Sequence, residues 1–182
     1  MDELIDIVDE SGCVTGEVVL KSNAHRLGLW HLCIDIWLYT SSNEILIQKR
    51  AGNKDVFPGF WDVSVAGHVG AGESPLNAAH RELKEELGIN IKHKDLSYIG
   101  YYKTDFKHSE QLIDREFHHV YIAELKETID DLVLQAEEVS EIKLLPIIKF
   151  KNQYFDMMNM EEFVPYSNTY LKMIFLAITD VS

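Results

Sequence analysis

Two cysteines, Cys13 and Cys33, are all that the 182 residues carry, with no CxxC pair and no metal-ligand spacing between them. A disulfide framework is excluded by count, and two reduced thiols in a cytosolic protein is the expectation. Basic residues are also scarce. Seventeen lysines and arginines stand against 30 aspartates and glutamates, a net charge of −13. That balance argues against nucleic acid or an anionic membrane as the main partner. An acidic protein can still bind an anionic substrate when a divalent cation sits between them. No apolar run approaches the roughly 20 residues needed to span a bilayer. The opening MDELIDIVDE is acidic, unlike the basic-then-apolar start of a signal peptide. Internal repeats, low-complexity stretches and linkers are missing too. A cytoplasmic protein forming one domain over 1–182 is therefore expected.

What is present suits a folded core: 46% of the residues are hydrophobic and 10% aromatic. LIDIVDESGCVTGEVVL alternates apolar residues around a turn signal at Glu10–Gly12, which predicts an N-terminal hairpin extension within 1–28. HLCIDIWLYT and EILIQKR read as a second pair of strands, and WDVSVAGHV as another short one. SPLNAAHRELKEEL reads as a helix, with Ser74 as its cap, Pro75 in its first turn and Gly88 as its stop. LSYIGYYKT, REFHHVYIAEL and VSEIKLLP are strand-like, and two helices are expected over about 147–158 and 167–178, in a C-terminal helical segment of 147–182. This order predicts an α/β fold, a mixed β-sheet sandwiched between helices.

The helix after Ser74 poses the chemical question. At 100° per residue, Leu76, Ala79, Leu83 and Leu87 form one apolar stripe, while Glu82, Glu85 and Glu86 fall within about 100° beside it. Two carboxylates about 6 Å apart repel by about 3 kcal/mol at an effective dielectric near 20. A bound Mg²⁺ or Mn²⁺ reverses that sign, because hard cations take several oxygen ligands. Three glutamates taken alone are most simply a solvated acidic face. Their surroundings say otherwise. Gly67, Glu73, Arg81, Glu82, Leu83, Glu85, Glu86, Gly88 and Ile89 fill every fixed position of G-x5-E-x7-R-E-U-x-E-E-x-G-U, with U aliphatic. That pattern, over 67–89, resembles the signature box of the Nudix hydrolases.

The resemblance implies a loop–helix–loop that holds divalent cations, Mg²⁺ or Mn²⁺, against the diphosphate of a small-molecule substrate. Carried onto this chain, Glu85 and Glu86 are metal ligands, joined by the backbone carbonyl of Gly67. Glu82 is a metal ligand or the base that activates water, Arg81 orients that glutamate, and Glu73 braces the loop. The flank LIQKRAGNKDVFPGFWDVSVAGHV resembles the segment before the box in isopentenyl-diphosphate isomerases and their hydrolase relatives, with Arg50, Ala51, Lys54, Pro58, Gly59 and Trp61 matching. Arg50 and Lys54 are then candidates for gripping a diphosphate, with His68 beside them in the substrate set. His25, His31 and His68 also fall where part of the isomerases' second metal set lies, and Glu116 resembles its downstream acid, a further metal ligand or base. His118 and His119 are weaker candidates, since adjacent strand residues point to opposite faces.

One position departs from the isomerases, which need a cysteine just before the Gly-His of this segment; here it is Ala66. Alanine carries no proton to exchange, so hydrolysis of a nucleoside-diphosphate derivative or an isoprenyl diphosphate is the leading expectation. An isomerase with a replacement for the cysteine and a non-catalytic ligand sensor are the alternatives. The group attached to the diphosphate is expected to be read by surrounding loops such as YYKTDFKHSEQLID. A homodimer that uses the N-terminal hairpin as an edge strand is an expectation by analogy.

Overall fold

The computed structural model describes residues 2–155 and 163–181. Among the described residues nine strands and four α-helices follow in the order β1 (Leu4–Val8), β2 (Val14–Leu20), α1 (Lys21–Leu27), β3 (His31–Tyr39), β4 (Glu44–Arg50), β5 (Trp61–Asp62), β6 (Val65–His68), α2 (Pro75–Leu87), β7 (Ser97–Ser109), β8 (Leu112–Glu124), β9 (Val139–Pro146), α3 (Ile147–Phe155) and α4 (Asn168–Val181). The sheet is mixed. β3 lies at its centre, parallel to β8 in unbroken register from His31↔Glu116 to Tyr39↔Glu124, and antiparallel to β6 from Cys33↔His68 to Ile36↔Val65. β7 extends the sheet beyond β8, and β4 carries β5 and β9.

Alternation along β3 assigns the two faces. Ile34, Ile36 and Leu38 are fully buried against Ala79, Leu83 and Leu87 of α2. On the other face Trp37, Val120 and Ile122 pack with Phe150 of α3 and Leu171, Ile174 and Phe175 of α4. Burying side chains of this size stabilises the fold by about 1.5–3 kcal/mol each, so both faces need their helical cover. The expected helix–sheet–helix layering is what forms. On the α4 face, apolar packing stops part way along: the early positions His31, Cys33 and Asp35 of β3 and Glu116 and His118 of β8 are polar or ionisable. The start of two central strands is thus reserved for chemistry, and the end for packing.

Several local expectations change. WDVSVAGHV forms two short strands, β5 on β4 and β6 on β3, because Val63 and Ser64 carry the chain from one partner to the other. α1 went unforeseen: seven residues with no side-chain N-cap give too little periodicity to detect, although Gly28 closes it in the left-handed conformation at φ 61°. YYKTDFKHSEQLID is not a loop. Most of it lies in the hairpin of β7 and β8, whose alternation is hidden because polar residues occupy both faces. The helix expected over 147–158 runs over Ile147–Phe155, and 156–158 lie outside the described residues. No helix among the described residues is long and apolar enough to cross a membrane.

Candidate functional site

The helix geometry of α2 sorts its glutamates by depth. Ser74 caps the helix by accepting from the Asn77 N–H at 3.2 Å, and Gly88 ends it at φ 73°. Measured from Glu82, the buried stripe lies at about +60° to +140°, Glu86 at about +40° and Glu85 at about −60°. Burial follows that order: Glu86 is 3% exposed, and the side chains of Glu82 and Glu85 are 12% and 50% exposed. Glu82, Glu86 and Gly67 line a cavity of about 410 Å³, whereas Glu85 turns outward to Arg81. Burial raises the Glu82 carboxyl to about 7 despite Arg81, and burial together with Glu82 pushes Glu86 well above the usual carboxylate range. Gln48 donates its amide to Glu86 at 3.2 Å.

Arg81 is the hub of the loop. Its Nη1 donates to Glu82 Oε1 at 2.7 Å and to Glu85 Oε2 at 3.1 Å, and its Nη2 to the His68 carbonyl at 2.9 Å. Nε and Nη2 also fork onto Glu73, whose Oε2 accepts the Gly70 N–H at 3.0 Å. Glu73 therefore ties the loop to the helix through Arg81. Gly67 has a separate requirement: a methyl group built there would overlap the Glu82 carboxylate. The N-terminal hairpin grips the same loop from outside, with Asp6 Oδ2 accepting the Gly72 N–H at 2.7 Å and the Leu4 carbonyl accepting the Ala71 N–H at 2.9 Å.

A second cluster shares the cavity. His25 on α1, His31 on β3 and His68 on β6 bring their Nε2 atoms together, 3.2 Å from His25 to His31 and 3.1 Å from His25 to His68. Glu116 Oε1 lies 3.4 Å from His31 Nε2, 3.7 Å from His68 Nε2 and 3.8 Å from His25 Nε2. His31 Nδ1 donates to the Leu29 carbonyl at 2.9 Å, which turns the Nε2 lone pair toward the centre. Burial, reinforced by His68 and His31, lowers His25 to about 4, and burial lowers His68 as well. Burial alone would raise Glu116, but the ring nitrogens of His118, His31 and His68 gathered around it outweigh burial and hold the carboxylate well below its ordinary range. Ring nitrogens that turn their lone pairs toward one carboxylate repel it, yet suit a cation. Ligand atoms about 2.1 Å from one ion at tetrahedral or octahedral angles stand about 3.0–3.4 Å apart. Four donors with all ligand atoms within 4.8 Å of one another fit a divalent metal.

The remaining sequence candidates divide. Arg50 and Lys54 line the cavity, but Arg50 is paired with Asp62 at 2.7 Å and donates to the Val56 carbonyl, and Lys54 is paired with Glu138. His68, expected among the substrate contacts, sits inside the histidine cluster. Trp61 is 5% exposed and packs in the α4-side core. Sequence reasoning passed over Asp114, whose buried Oδ1 has no hydrogen-bond partner and lies 3.6 Å from His25 Nδ1, while its Oδ2 holds His108 at 2.7 Å. It also passed over Asp35, a lone acid in an apolar strand, which was the signal available. Asp35 is 2% exposed, pairs in register with Ala66, and bonds to His118 Nδ1 at 3.1 Å and to the Tyr170 hydroxyl at 2.8 Å. Burial opposes charge on His118, but Asp35 and Glu116 prevail and push it up to about 10.

Residues 29–166 match the family described as the NUDIX domain. The chain is 33% identical to an uncharacterized Nudix hydrolase of Clostridium acetobutylicum, with 98% of each covered. It is 32% identical to Nudix hydrolase 3 of Arabidopsis thaliana over 91% of this chain, although it spans only 22% of that much longer protein. Isopentenyl-diphosphate Delta-isomerase 2 of Photorhabdus laumondii is 30% identical, over 83% of this chain and 81% of that one. Among solved structures, DR0079 from Deinococcus radiodurans superposes with a TM-score of 0.66 at 25% identity, covering 90% of this chain and 93% of its own.

Proposed function

The chain belongs to the NUDIX domain family, and on that premise we propose that it is a divalent-metal-dependent pyrophosphohydrolase. Its substrate in this reading is a small molecule carrying a diphosphate, either a nucleoside-diphosphate derivative or an isoprenyl diphosphate. The observation that carries the proposal is the pairing of Glu82 and Glu86 on one face of α2, turned into a cavity beside Gly67, with Arg81 fixing Glu82. Glu82, Glu86 and the Gly67 carbonyl would hold one cation, Mg²⁺ or Mn²⁺, and His25, His31, His68 and Glu116 a second. Bound metal would neutralise the diphosphate and make coordinated water more acidic.

The protein groups then divide the work. Arg81 holds Glu82 Oε1, which leaves the other carboxylate oxygen for the cation or, in the alternative role, for the proton of the attacking water. Burial, which raises the Glu82 carboxyl, makes it a stronger proton acceptor than an exposed carboxylate, which suits that second role. Arg50, with Nε and Nη1 committed, has Nη2 for an anionic oxygen. Val56, Phe57, Phe106, Val164 and Pro165 give the cavity apolar lining that would take the group attached to the diphosphate.

The test is phosphate release with Mg²⁺ or Mn²⁺ across ADP-ribose, NADH, nucleotide sugars, nucleoside triphosphates, and isopentenyl and dimethylallyl diphosphates, with Glu82→Gln in parallel. Turnover of one class that the variant loses supports the reading. Interconversion of the two isoprenyl diphosphates without phosphate release would favour an isomerase despite Ala66. Metal binding without turnover of any compound would favour a sensor.

A further inference from the structure

Glu116 presents two oxygens to two different neighbourhoods. Oε1 faces the three histidines, and Oε2 lies 3.0 Å from His118 Nε2. Behind His118 runs a chain of hydrogen bonds whose direction is forced. An indole N–H can only donate, so Trp37 Nε1 gives its proton to the Tyr170 oxygen at 2.7 Å. Tyr170 must then spend its own proton on Asp35 Oδ2 at 2.8 Å, and Asp35 Oδ1 accepts from His118 Nδ1 at 3.1 Å. With a carboxylate at each ring nitrogen, His118 donates at both ends, and its second proton goes to Glu116 Oε2. The ring cannot readily turn away: Tyr102 stacks on it at 4.5 Å and 18°, and Thr104 Oγ1 stands 3.1 Å from Nε2.

A network this buried, spread over β3, β7, β8 and α4, is costly unless every member is satisfied. Apolar residues would serve packing better at the same positions, as they do further along the same face. The network ends on a single atom of a cluster ligand, which suggests what it does. Held at Oε2, the Glu116 carboxylate cannot swing both oxygens toward the histidines or leave them.

We propose that Tyr170, Asp35 and His118 form a positioning relay that fixes Glu116 as a one-oxygen ligand of the histidine cluster, so that α4 sets the affinity and coordination geometry of the metal held there. The inference rests on the reading of that cluster as a metal site. It places the control of the site in a helix that contributes none of its ligands.

The test uses Co²⁺ as the probe, on the full chain, with affinity from titration calorimetry and ligand geometry from the visible absorption bands. His31→Ala identifies the bands that belong to the cluster. Tyr170→Phe removes one hydroxyl from the relay and is expected to weaken Co²⁺ by severalfold and to shift those bands. His118→Leu is expected to weaken it by about 10–100-fold. His118→Gln, whose amide can still donate to Glu116, should recover part of the loss. Circular dichroism confirms folding of each variant, and Tyr170→Phe decides the matter if His118→Leu does not fold. Folded Tyr170→Phe and His118→Leu proteins with affinity within twofold of wild type and unchanged bands would overturn the relay alone. Wild-type protein whose bands are unaffected by His31→Ala would overturn the cluster as a metal site, and the relay with it.

Discussion

At the scale of single residues, Glu82 and Gly67 make the sharpest demands. Glu82→Gln keeps the side-chain volume and the contact with Arg81 but removes the basic oxygen. Its turnover is expected to fall by about 10²–10⁴-fold with an unchanged circular dichroism spectrum; near wild-type turnover would remove Glu82 from the chemistry. Gly67→Ala acts on the same atom by another route, since the new methyl overlaps the Glu82 carboxylate. The carboxylate can move away at little cost to folding, so the expected outcome is a thermal midpoint close to wild type with both metal affinity and turnover reduced at least tenfold. A variant that melts early and retains its activity would contradict this. Both residues were legible in the sequence as members of a fixed motif. Their contact was not, because it depends on β6 and α2 approaching face to face.

At the scale of elements, α2 and the N-terminal hairpin cooperate on one loop. Ser74→Ala removes the cap that accepts the Asn77 N–H and should cost about 1 kcal/mol of stability, read as a lower urea midpoint with little change in metal affinity. Asp6→Ala should do the reverse. Asp6 is partly exposed, and its loss frees the Gly72 N–H rather than opening the core. The loop between Gly67 and Glu73 then gains freedom, and metal affinity in a Mg²⁺ titration is expected to drop severalfold with the urea midpoint nearly unchanged. The helix and its cap could be read from local residues, since 3.6-residue periodicity and capping are short-range properties. The brace from Asp6 to Gly72 joins residues 66 positions apart, and no local pattern announces it.

At the scale of the whole molecule, metal, protons and folding are linked. Glu82 is raised from the ordinary 4.5 to about 7, so the fold prefers its protonated form. That contribution to metal-free stability is fully present below about 4.5 and is lost as pH rises through about 7. A divalent ion needs the ionised form, so its binding releases that proton, and Glu86 shifts in the same direction. Mg²⁺ is therefore expected to stabilise the protein little at pH 5 and fully at pH 8. At a hundred times its dissociation constant the gain is about 2.7 kcal/mol, or roughly 5–10 °C in melting temperature. Chelation should reverse it. A shift of equal size at both pH values would mean that Glu82 is not among the ligands.

The sequence by itself determined the family pattern, the layered α/β architecture, the ends of α2 and the three box glutamates, because these rest on local periodicity, capping and motif spacing. Tertiary structure decided which of those glutamates enters the cavity, since a rotation of about 100° around α2 separates buried Glu86 from outward Glu85. It decided that His25, His31, His68 and Glu116, carried by four different elements, converge with their ligand atoms within 4.8 Å of one another. It also decided that the hairpin read as a loop is a wall of the cavity, and that Asp35, a lone acid in an apolar strand, connects that cluster to α4. Each of these depends on how elements distant in the chain pack against one another, which a linear pattern does not encode.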